Sequence, residues 1–513
     1  MASSSEMYFT RLQNGNDVRG AAIETEDEKI TLTPSLAKYI AQAFVSYLAQ
    51  KTGKELSALR IGAGHDSRIT GPAFLKACMA GFAGTKAFDC GLVSTPAMFQ
   101  STILPESDFD GAVMITASHL PFNRNGLKFF TKEGGLEKPQ MSAVLAEAAK
   151  MADADGNTDE AGFPVCDITD NSAAESFDLV SIYCTHMMDL IKKEVNADDY
   201  DHPLSGLHVI VDAGNGAAGF FAGRLLKPLG ADVSGSVYLE PDGTFPNHVP
   251  NPENKTAMEA VRSATLDAGA DLGVIFDCDG DRGAVVFSDG TEVNRNTLIA
   301  LLSAIIAKEY PGSTVVTDSV TSDELSDFLA GIGIRHLRFK RGYKNVINKG
   351  IELNENGEEC RLAIETSGHG AFKENYFSDD GAYISVRILI EMARLRKEGK
   401  DIRSLIADLS YPAEDAEIRF KIAGEDFKDY AAQVLKDMEA FAKADARFHI
   451  VTPNYEGIRV SFDDEEVKGW FLLRMSLHDP VLPMNIEAKE KGGVQVIMDR
   501  LSPFFAKYDR LSR

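Results

Sequence analysis

The sequence has few of the features that fix a protein in a membrane or cross-link a secreted domain. Its 513 residues contain no apolar run near the ~18 residues that a membrane-spanning helix needs. The amino terminus lacks the basic start and apolar core of a signal peptide. Six scattered cysteines show no paired spacing, which argues against a disulfide framework and a zinc site: Cys78, Cys90, Cys166, Cys184, Cys278 and Cys360. These absences predict a cytoplasmic location.

Positive charge is also scarce. Lysine and arginine number 53 against 77 aspartate and glutamate residues, a formal net charge of −24. Such a chain repels nucleic-acid phosphates and anionic lipids, so we expect neither nucleic acid nor a membrane as a partner. A small anionic ligand would need a local cluster of cations. We therefore expect small-molecule partners. For the oligomeric state, we expect a monomer or weak homodimer.

The chain does contain a recurring unit of apolar strand, polar loop and helix. The three units have predicted strands at residues 58–63, 207–212 and 314–318, followed by predicted helices at 74–79, 220–229 and 323–329. A long helix at 426–444 and two late strands follow. This order predicts three related mixed-sheet α/β domains and a C-terminal α+β domain. The predicted domains span residues 1–172, 173–289, 290–408 and 409–513, with an exposed connector at 151–171.

A candidate nucleophile lies in residues 114–121. The apolar stretch 110–115 predicts a buried strand, and the following residues predict a turn that leaves the Ser118 hydroxyl at an exposed strand end. Asn and Gly at 123–126 predict a second turn that folds Lys128 back towards Ser118. A hydroxyl between the His119 imidazole and an ammonium group suits phosphoryl chemistry, because the cations stabilise phosphate charge. The alternative is that these residues only close a turn.

Three carboxylates form a candidate metal site. Asp277, Asp279 and Asp281 stand at alternate positions directly after an apolar stretch. Their mutual repulsion predicts a bound hard divalent cation, Mg²⁺. Arg282 adds a guanidinium that can bind a phosphate in a bidentate manner. An acidic surface turn is the alternative, but the apolar lead-in and Gly280 favour the metal.

A sugar-binding loop is predicted after the apolar stretch 361–364. Glu365, Ser367 and His369 supply acceptors and donors that suit vicinal sugar hydroxyls. The basic residues 340–344, which end in Lys344, hold either a phosphate or only solvent.

A phosphate cradle is predicted near the carboxyl terminus. Arg474, Ser476 and His478 follow the apolar stretch 470–473, and a guanidinium, a hydroxyl and an imidazole suit a phosphate. A purely structural loop is the alternative. The glycines of 214–219 also match the G-x-G-x-x-G dinucleotide pattern, but close packing of a strand and a helix explains them equally well.

In this order, Ser118, the three aspartates, the Glu365 loop and the Arg474 loop resemble the α-D-phosphohexomutases, most closely the phosphomannomutase/phosphoglucomutase group. Residues 19–20, 65–68, 241–243 and 251–253 extend the resemblance over nearly the whole chain. It implies four domains around a central cleft, each contributing one loop. Two departures stand out. Ile364 precedes Glu365 where the family usually has Gly, and Leu477 follows Ser476 where Gly or Asn is usual.

The resemblance also implies a role for each candidate residue. It implies catalytic roles for Ser118, His119, Lys128, Arg282 and His369. It implies Mg²⁺ binding by Ser118, Asp277, Asp279 and Asp281. It implies substrate binding by Arg19, Lys344, Glu365, Ser367, His369, Arg474, Ser476 and His478.

The activity that the resemblance implies is interconversion of hexose 1-phosphate and hexose 6-phosphate, for glucose, mannose or both. It implies a phosphoserine enzyme, with glucose or mannose 1,6-bisphosphate as intermediate and activator. Thr366 stands where glucosamine-phosphate mutases typically carry Gln, so that activity is the less favoured alternative.

Two other classes compete with a mutase. A haloacid-dehalogenase-like phosphatase also has an apolar strand followed by Asp-x-Asp-Gly, but it leaves Ser118 without a role. A catalytically silent sugar-phosphate sensor is disfavoured by the intact serine and aspartates.

Overall fold

The computed structural model describes residues 5–168, 174–476 and 479–513. The chain forms two compact units. Unit 1 consists of residues 1–294, 367–370 and 378–402, and unit 2 of residues 295–366, 371–377 and 403–513. Among the described residues, no helix is long and apolar enough to cross a membrane.

The first sheet of unit 1 is mixed and has the order β1-β2-β6-β5-β3-β4-β8, with β7 paired to β6. Its strands are β1 (Gln13–Asn14), β2 (Asp17–Ala21), β3 (Arg60–His65), β4 (Lys86–Leu92), β5 (Gly111–Ile115), β6 (Arg124–Thr131), β7 (Gly134–Gly135) and β8 (Glu175–Ser176). Its helices are α1 (Glu6–Thr10), α2 (Pro34–Thr52), α3 (Gly71–Gly81), α4 (Thr95–Gln100) and α5 (Lys138–Asp155). The sequence sets the ends of α2 locally. The Thr33 side chain accepts a hydrogen bond from Leu36 N at its start, and Gly53 adopts the left-handed conformation at its end.

The second sheet of unit 1 has the order β12-β11-β10-β9 and follows α6 (Leu179–Val195). It contains β9 (Val209–Asp212), β10 (Leu272–Phe276), β11 (Gly283–Phe287) and β12 (Glu292–Val293), with α7 (Lys255–Ala268) between β9 and β10. The helix predicted at 220–229 is instead a π-helical turn, Phe221–Leu226, and a 3-10 turn, Lys227–Leu229. Pro228 lacks the amide hydrogen that a regular α-helix would use there.

The third sheet has the order β14-β13-β15-β16. It contains β13 (Thr314–Thr317), β14 (Arg335–Arg338), β15 (Cys360–Ile364) and β16 (Gly370–Phe372), with helices α8 (Arg295–Glu309), α9 (Asp323–Gly331) and α10 (Tyr343–Glu355). Strands β14 and β15 both pair with β13 in parallel, so the loops after them leave the same edge of the sheet. Helix α11 (Gly381–Lys397) follows in the chain and belongs to unit 1.

The fourth sheet lies in unit 2 and is antiparallel, with the order β18-β19-β20-β21-β17-β22. Its strands are β17 (Glu414–Ile422), β18 (His449–Ile450), β19 (Ile458–Asp463), β20 (Lys468–Leu473), β21 (Val481–Ala488) and β22 (Leu511–Ser512). Helices α12 (Phe427–Lys443) and α13 (Gly493–Phe505) complete this part of the unit.

A buried arginine joins the fourth sheet to the loop that follows β13. The Arg459 guanidinium lies 3.5 Å from the centre of the Trp470 ring. It donates hydrogen bonds of 3.1 Å to the carbonyl oxygens of Ser319 and Thr321. Trp470 in turn donates from Nε1 to Glu487 at 2.9 Å. These contacts fix the loop after β13 against the C-terminal sheet.

The three mixed sheets and the antiparallel C-terminal sheet confirm the predicted fold class. The prediction of an exposed connector at 151–171 is wrong in part. Helix α5 continues to Asp155, and Phe163 and Cys166 pack against the core of the first sheet. Apolar side chains inside a polar stretch supply that contact. The four predicted domain limits stay a prediction.

Candidate active site

Ser118 lies in the loop between β5 and β6, with its backbone in the left-handed region at φ +50°. Its hydroxyl donates to Asp277 Oδ2 at 3.1 Å and lies 3.4 Å from His119 Nδ1. The prediction of an exposed hydroxyl is wrong, because Ser118 is only 7% exposed beside the loop that carries Asp277. The nucleophile candidate is therefore already in contact with the carboxylate cluster.

Lys128 lies on β6 and pairs with Met114 of β5. The chain reverses before Arg124, so residues 124–126 belong to the strand and do not form the predicted second turn. The Lys128 ammonium group donates to Asp279 Oδ2 at 3.0 Å and to Asp281 Oδ2 at 2.5 Å. Its position on β6 thus brings a cation to the aspartates.

Asp277, Asp279 and Asp281 form the loop between β10 and β11, and all three are buried. One ligand oxygen from each lies within 4.8 Å of the others. Gly280 at φ +73° allows the tight reversal of this loop. Gly216 packs closely against the backbone of this loop, since a Cβ there would lie 2.5 Å from Cys278 O. Close backbone packing thus explains this glycine of the G-x-G-x-x-G pattern.

The carboxylates fit a hard divalent cation. Asp279 Oδ2 accepts hydrogen bonds from Thr95 Oγ1 at 2.5 Å and from Lys128. Asp279 Oδ1 and Asp281 Oδ1 are buried and accept no hydrogen bond from the residues that the structure describes. Buried carboxylate oxygens without donors are costly, and oxygen is the ligand that Mg²⁺ prefers. The donor set therefore matches Mg²⁺.

The charges of the three carboxylates are unevenly balanced. Burial, with the neighbouring Asp281 and Asp279 charges, raises the pKa of Asp277 well above its ordinary value. Burial acts in the same direction on Asp281, but Lys128, His369 and Arg282 outweigh it and lower the pKa of that carboxyl. The local cations thus favour ionised Asp281, whereas burial and the neighbouring carboxylates keep the pKa of Asp277 raised.

Arg282 fixes the His119 ring. Its Nη2 donates to His119 Nδ1 at 2.7 Å, and its backbone amide donates to Asp277 Oδ1 at 3.2 Å. Burial, followed by the charges of Arg282 and His369, lowers the pKa of His119 to about 3. His119 is therefore neutral, with Nδ1 as an acceptor.

His369 lies beside the aspartate loop through a backbone bridge to Arg282. Its Nδ1 is 2.5 Å from Asp379 Oδ2 and 3.8 Å from Asp281 Oδ1. Burial alone would lower the pKa of His369, but Asp379 and Asp281 raise it above the ordinary value. Ser367, two residues earlier, is buried in the same unit.

Arg19 lies on β2 and pairs with Gly126 of β6. Its guanidinium donates to the carbonyl oxygen of Thr116 and, at 2.9 Å, to Asp17. Unit 1 therefore contains ten of the predicted site residues: Arg19, Ser118, His119, Lys128, Asp277, Asp279, Asp281, Arg282, Ser367 and His369.

Unit 2 carries the predicted residues Lys344, Glu365, Arg474 and Ser476. Glu365 Oε1 accepts a hydrogen bond from Gly342 N at 2.6 Å. Gly342 at φ +107° precedes α10, and Lys344 lies in the first turn of that helix. The carboxylate thus fixes the loop that leads to Lys344.

Arg474 follows β20 and is only 8% exposed. Its guanidinium donates no hydrogen bond to the part of the chain that the structure describes. Burial, followed by the charge of Arg341, lowers the pKa of Arg474. The charges of Glu456, Glu417 and Asp318 act in the opposite direction on that pKa. Ser476 Oγ accepts from Asp479 N at 3.2 Å, whereas His478 lies outside the described residues. A buried guanidinium without an acceptor is costly, and a phosphate would supply acceptors.

Several residues around the site carry no local signal of their role. Thr95 and Asp379 reach the site only through the fold, from helix α4 and from the segment before α11. Arg341 directly precedes Gly342 in the chain, and its Nε lies 3.5 Å from Oδ2 of the buried Asp318. The basic composition of 340–344 was the only signal for Arg341.

Comparisons with known proteins show the family of this chain. Three family models match, described as phosphoglucomutase/phosphomannomutase alpha/beta/alpha domains I, II and III, over residues 10–155, 183–290 and 294–411. The phosphomannomutase/phosphoglucomutase of Pseudomonas syringae pv. tomato is 30% identical over 94% of this chain and 92% of its own. The phosphoglucomutase of Neisseria gonorrhoeae is 27% identical over 92% of each chain.

The fold comparison gives the same result. The crystal structure of a phosphoglucomutase/phosphomannomutase family protein from Burkholderia thailandensis has a TM-score of 0.76 and 26% identity, covering 99% of this chain and 98% of its own. Together, the three family models cover more than half of the chain in the expected order. The chain therefore belongs to the phosphoglucomutase/phosphomannomutase family.

Proposed function

We propose that this protein interconverts the 1- and 6-phosphates of glucose and mannose through a phosphorylated Ser118 and a hexose 1,6-bisphosphate. As a member of its family, the chain is a hexose phosphate mutase, an isomerase that works by phosphoryl transfer. One observation carries the assignment of the serine. The Ser118 hydroxyl donates to Asp277 beside two carboxylate oxygens, on Asp279 and Asp281, that accept no hydrogen bond from the described residues.

Asp277, Asp279 and Asp281, with Ser118 or its phosphate, would hold Mg²⁺. When bound, Mg²⁺ neutralises charge on the transferring phosphoryl group. Lys128 binds one oxygen of Asp279 and one of Asp281, which leaves their other oxygens as ligands. That engagement favours a fixed ammonium group over a base. Arg282 supplies a second buried cation and holds His119 neutral.

The reaction consists of two transfers. First, the bond between phosphorus and Ser118 Oγ breaks while a bond forms to the free hydroxyl of the hexose phosphate, whose proton passes to His369. Then Ser118 Oγ takes the other phosphoryl group of the bisphosphate, and the proton returns to the sugar oxygen that is released. The Asp379 contact at Nδ1 supports His369 as this base, because it stabilises the protonated ring.

We assign sugar and phosphate binding to the remaining predicted residues. Glu365 and Ser367 would contact sugar hydroxyls, together with His369, and Arg19 and Lys344 would contact the substrate. Arg474, Ser476 and His478 would bind the phosphate that does not react. The buried Arg474 guanidinium supports this assignment, since a phosphate supplies acceptors that none of the described residues provides. Added glucose or mannose 1,6-bisphosphate would phosphorylate a resting Ser118 and so activate the enzyme.

Intact-mass analysis tests the phosphoserine. After incubation with glucose 1,6-bisphosphate, we expect the wild type to gain one phosphoryl group and the Ser118→Ala variant to gain none. Turnover of Ser118→Ala should fall at least ~1000-fold, about 4 kcal/mol of barrier. Ser107→Ala is the matched control, because Ser107 is buried in the same unit and its hydroxyl donates only to Leu104 O.

A Ser118→Ala enzyme that keeps a rate within tenfold of the control would refute the serine assignment. Phosphate on another residue would refute it equally. A wild type that releases inorganic phosphate without forming the isomer would favour the phosphatase alternative.

A further inference from the structure

A buried arginine holds the Ser118 loop from inside unit 1. Arg68 lies in the loop after β3 and is only 1% exposed. Its guanidinium donates to four carbonyl oxygens, those of Ser118 at 2.5 Å, Leu120 at 2.6 Å, Pro121 at 2.8 Å and Arg124 at 2.8 Å. A planar guanidinium carries five donors in a fixed arrangement, so it can hold several carbonyls at once. The loop is therefore fixed at both its start and its end.

Asp66 orients this arginine and also reaches the serine from its other side. The Asp66 carboxylate is fully buried and lies 3.3 Å from Arg68 Nε. It accepts a hydrogen bond from Thr116 Oγ1 at 2.6 Å, and the same Thr116 oxygen accepts from Ser118 N at 2.8 Å. The Ser118 amide is thus tied to Asp66 through Thr116, while the Ser118 carbonyl is tied to Arg68. Both peptide groups of Ser118 are held by one ion pair.

This double hold matters because the Ser118 backbone is in an unfavourable region. A serine at φ +50° is uncommon, since its Cβ crowds the backbone there. Such a conformation persists only where the surroundings impose it. If the loop relaxed to negative φ, the Cβ and hydroxyl of Ser118 would turn away from Asp277. The ion pair therefore controls where the nucleophile points.

Asp66 also contacts the aspartate loop. Cys278, which stands between Asp277 and Asp279, donates from Sγ to Asp66 Oδ2 at 3.3 Å. The loop that carries Ser118 and the loop that carries the three aspartates are distant in sequence. Both nevertheless donate a hydrogen bond to the same Asp66 oxygen, from Thr116 and from Cys278. This oxygen fixes the register of the two loops.

We propose that Asp66 and Arg68 are positioning residues for phosphoryl transfer, which hold Ser118 in its left-handed conformation and keep its hydroxyl against the aspartate loop. The inference rests on the proposed function, because it assumes that Ser118 carries the phosphoryl group. Neither side chain needs to contact the substrate. Their effect should appear in the chemical step and hardly in substrate binding.

The first test is an Arg68→Lys variant, since lysine keeps the charge but cannot hold four carbonyls. We expect kcat to fall at least ~100-fold with KM within about threefold, because the lost interaction acts on the reacting hydroxyl. The rate at which glucose 1,6-bisphosphate phosphorylates Ser118 should fall by the same factor. Arg60→Lys is the matched control, because Arg60 lies on β3 of the same sheet and donates to the Ser107 carbonyl, away from the site. Its kcat should stay within threefold of wild type.

A second pair of variants removes only the link through threonine. Thr116→Val deletes the hydroxyl between Asp66 and Ser118 N, and Thr116→Ser retains it. We expect a fall in kcat of at least tenfold for valine and recovery to within threefold for serine, with both proteins folded by circular dichroism. This pair decides the question if Arg68→Lys does not fold.

Two results would overturn the proposal. One is a wild type that is phosphorylated on Ser118 while Thr116→Val and any folded Arg68→Lys match the Arg60→Lys control in kcat. The other is a loss confined to KM. A wild type that never becomes phosphorylated on Ser118 would instead overturn the proposed function, and this inference with it.

Discussion

Two buried charged groups, one in each unit, differ in how many partners the protein itself supplies. In unit 1, the buried carboxylates of Asp279 and Asp281 each have one oxygen bound by Lys128, and Thr95 adds a further donor to Asp279. In unit 2, the buried guanidinium of Arg474 has no acceptor among the described residues. The first site is largely assembled from protein groups, whereas the second is left for a ligand to complete.

This difference indicates a preorganised catalytic site in unit 1 and a ligand-recognition site in unit 2. Charges that are already in place stabilise a transition state most, because no rearrangement is needed during the reaction. This property suits the unit that carries Ser118. A buried cation without an acceptor is costly in the free protein, and that cost is relieved when an anion binds. We therefore expect changes in unit 1 to act mainly on kcat and changes in unit 2 mainly on KM. The following predictions test that division.

Among the tests of this division, the largest effect should come from removing the cation of unit 1. Exhaustive chelation should lower activity at least ~100-fold, because three carboxylates then repel each other beside the phosphoryl group, and Mg²⁺ should restore it. Asp279→Asn should raise the Mg²⁺ concentration needed for half-maximal rate, while the exposed Glu259→Gln should not. Full activity in a preparation shown by metal analysis to be free of divalent ions would contradict the assigned site.

An intermediate effect should follow from Arg474→Ala in unit 2. If Arg474 grips the phosphate that does not react, its loss removes binding in the ground and transition states alike. We expect KM to rise about 10- to 100-fold, the size of one charged hydrogen bond, with kcat within fivefold. Arg447→Ala is the control, because Arg447 is exposed and pairs with Asp445. A fall in kcat at constant KM would break the proposed division between the units.

The smallest effect should be the discrimination between sugars. Glu365, Ser367 and His369 are assigned to hydroxyls that glucose and mannose share, and no predicted residue is committed to the 2-position. We expect kcat/KM for glucose 1-phosphate and mannose 1-phosphate to agree within about a hundredfold, roughly 2.7 kcal/mol, with glucosamine phosphate below both. Measuring the three side by side decides this. A clear preference for the amino sugar would replace the substrate assignment and leave the phosphoserine chemistry intact.

The sequence predicts the loops of the site better than the contacts between them. Asp277 to Asp281 directly follow a buried strand, so their convergence is visible from an apolar stretch and alternate acidic positions. The pairing of Lys128 with Asp279 and Asp281 cannot be predicted from such a local pattern. The reach of Lys128 to these aspartates depends on the pairing of β6 with β5 and on a loop some 150 positions away.

The same limit applies to the supporting residues. Residues 65–68 are part of the family resemblance, but the four carbonyls that Arg68 binds are set by the path of a loop 50 or more positions later. Asp379 stands ten residues after His369, past β16 and a 3-10 turn, and no periodicity connects the two. Local pattern thus predicts which groups carry chemistry, whereas tertiary packing decides which groups orient them.

Trp470, at the contact between the C-terminal sheet and the loop after β13, supplies an intrinsic fluorescence probe. The chain has a single tryptophan, and its ring is stacked by Arg459 while its Nε1 donates to Glu487. Any loosening of the loop after β13 from the C-terminal sheet would unstack the guanidinium and admit water to the indole, which should shift its emission to longer wavelength. Fluorescence should therefore report on unit 2 alone, while circular dichroism reports on the whole chain. Thermal unfolding monitored by both tryptophan fluorescence and circular dichroism would show, without labelling, whether the two units unfold together or separately.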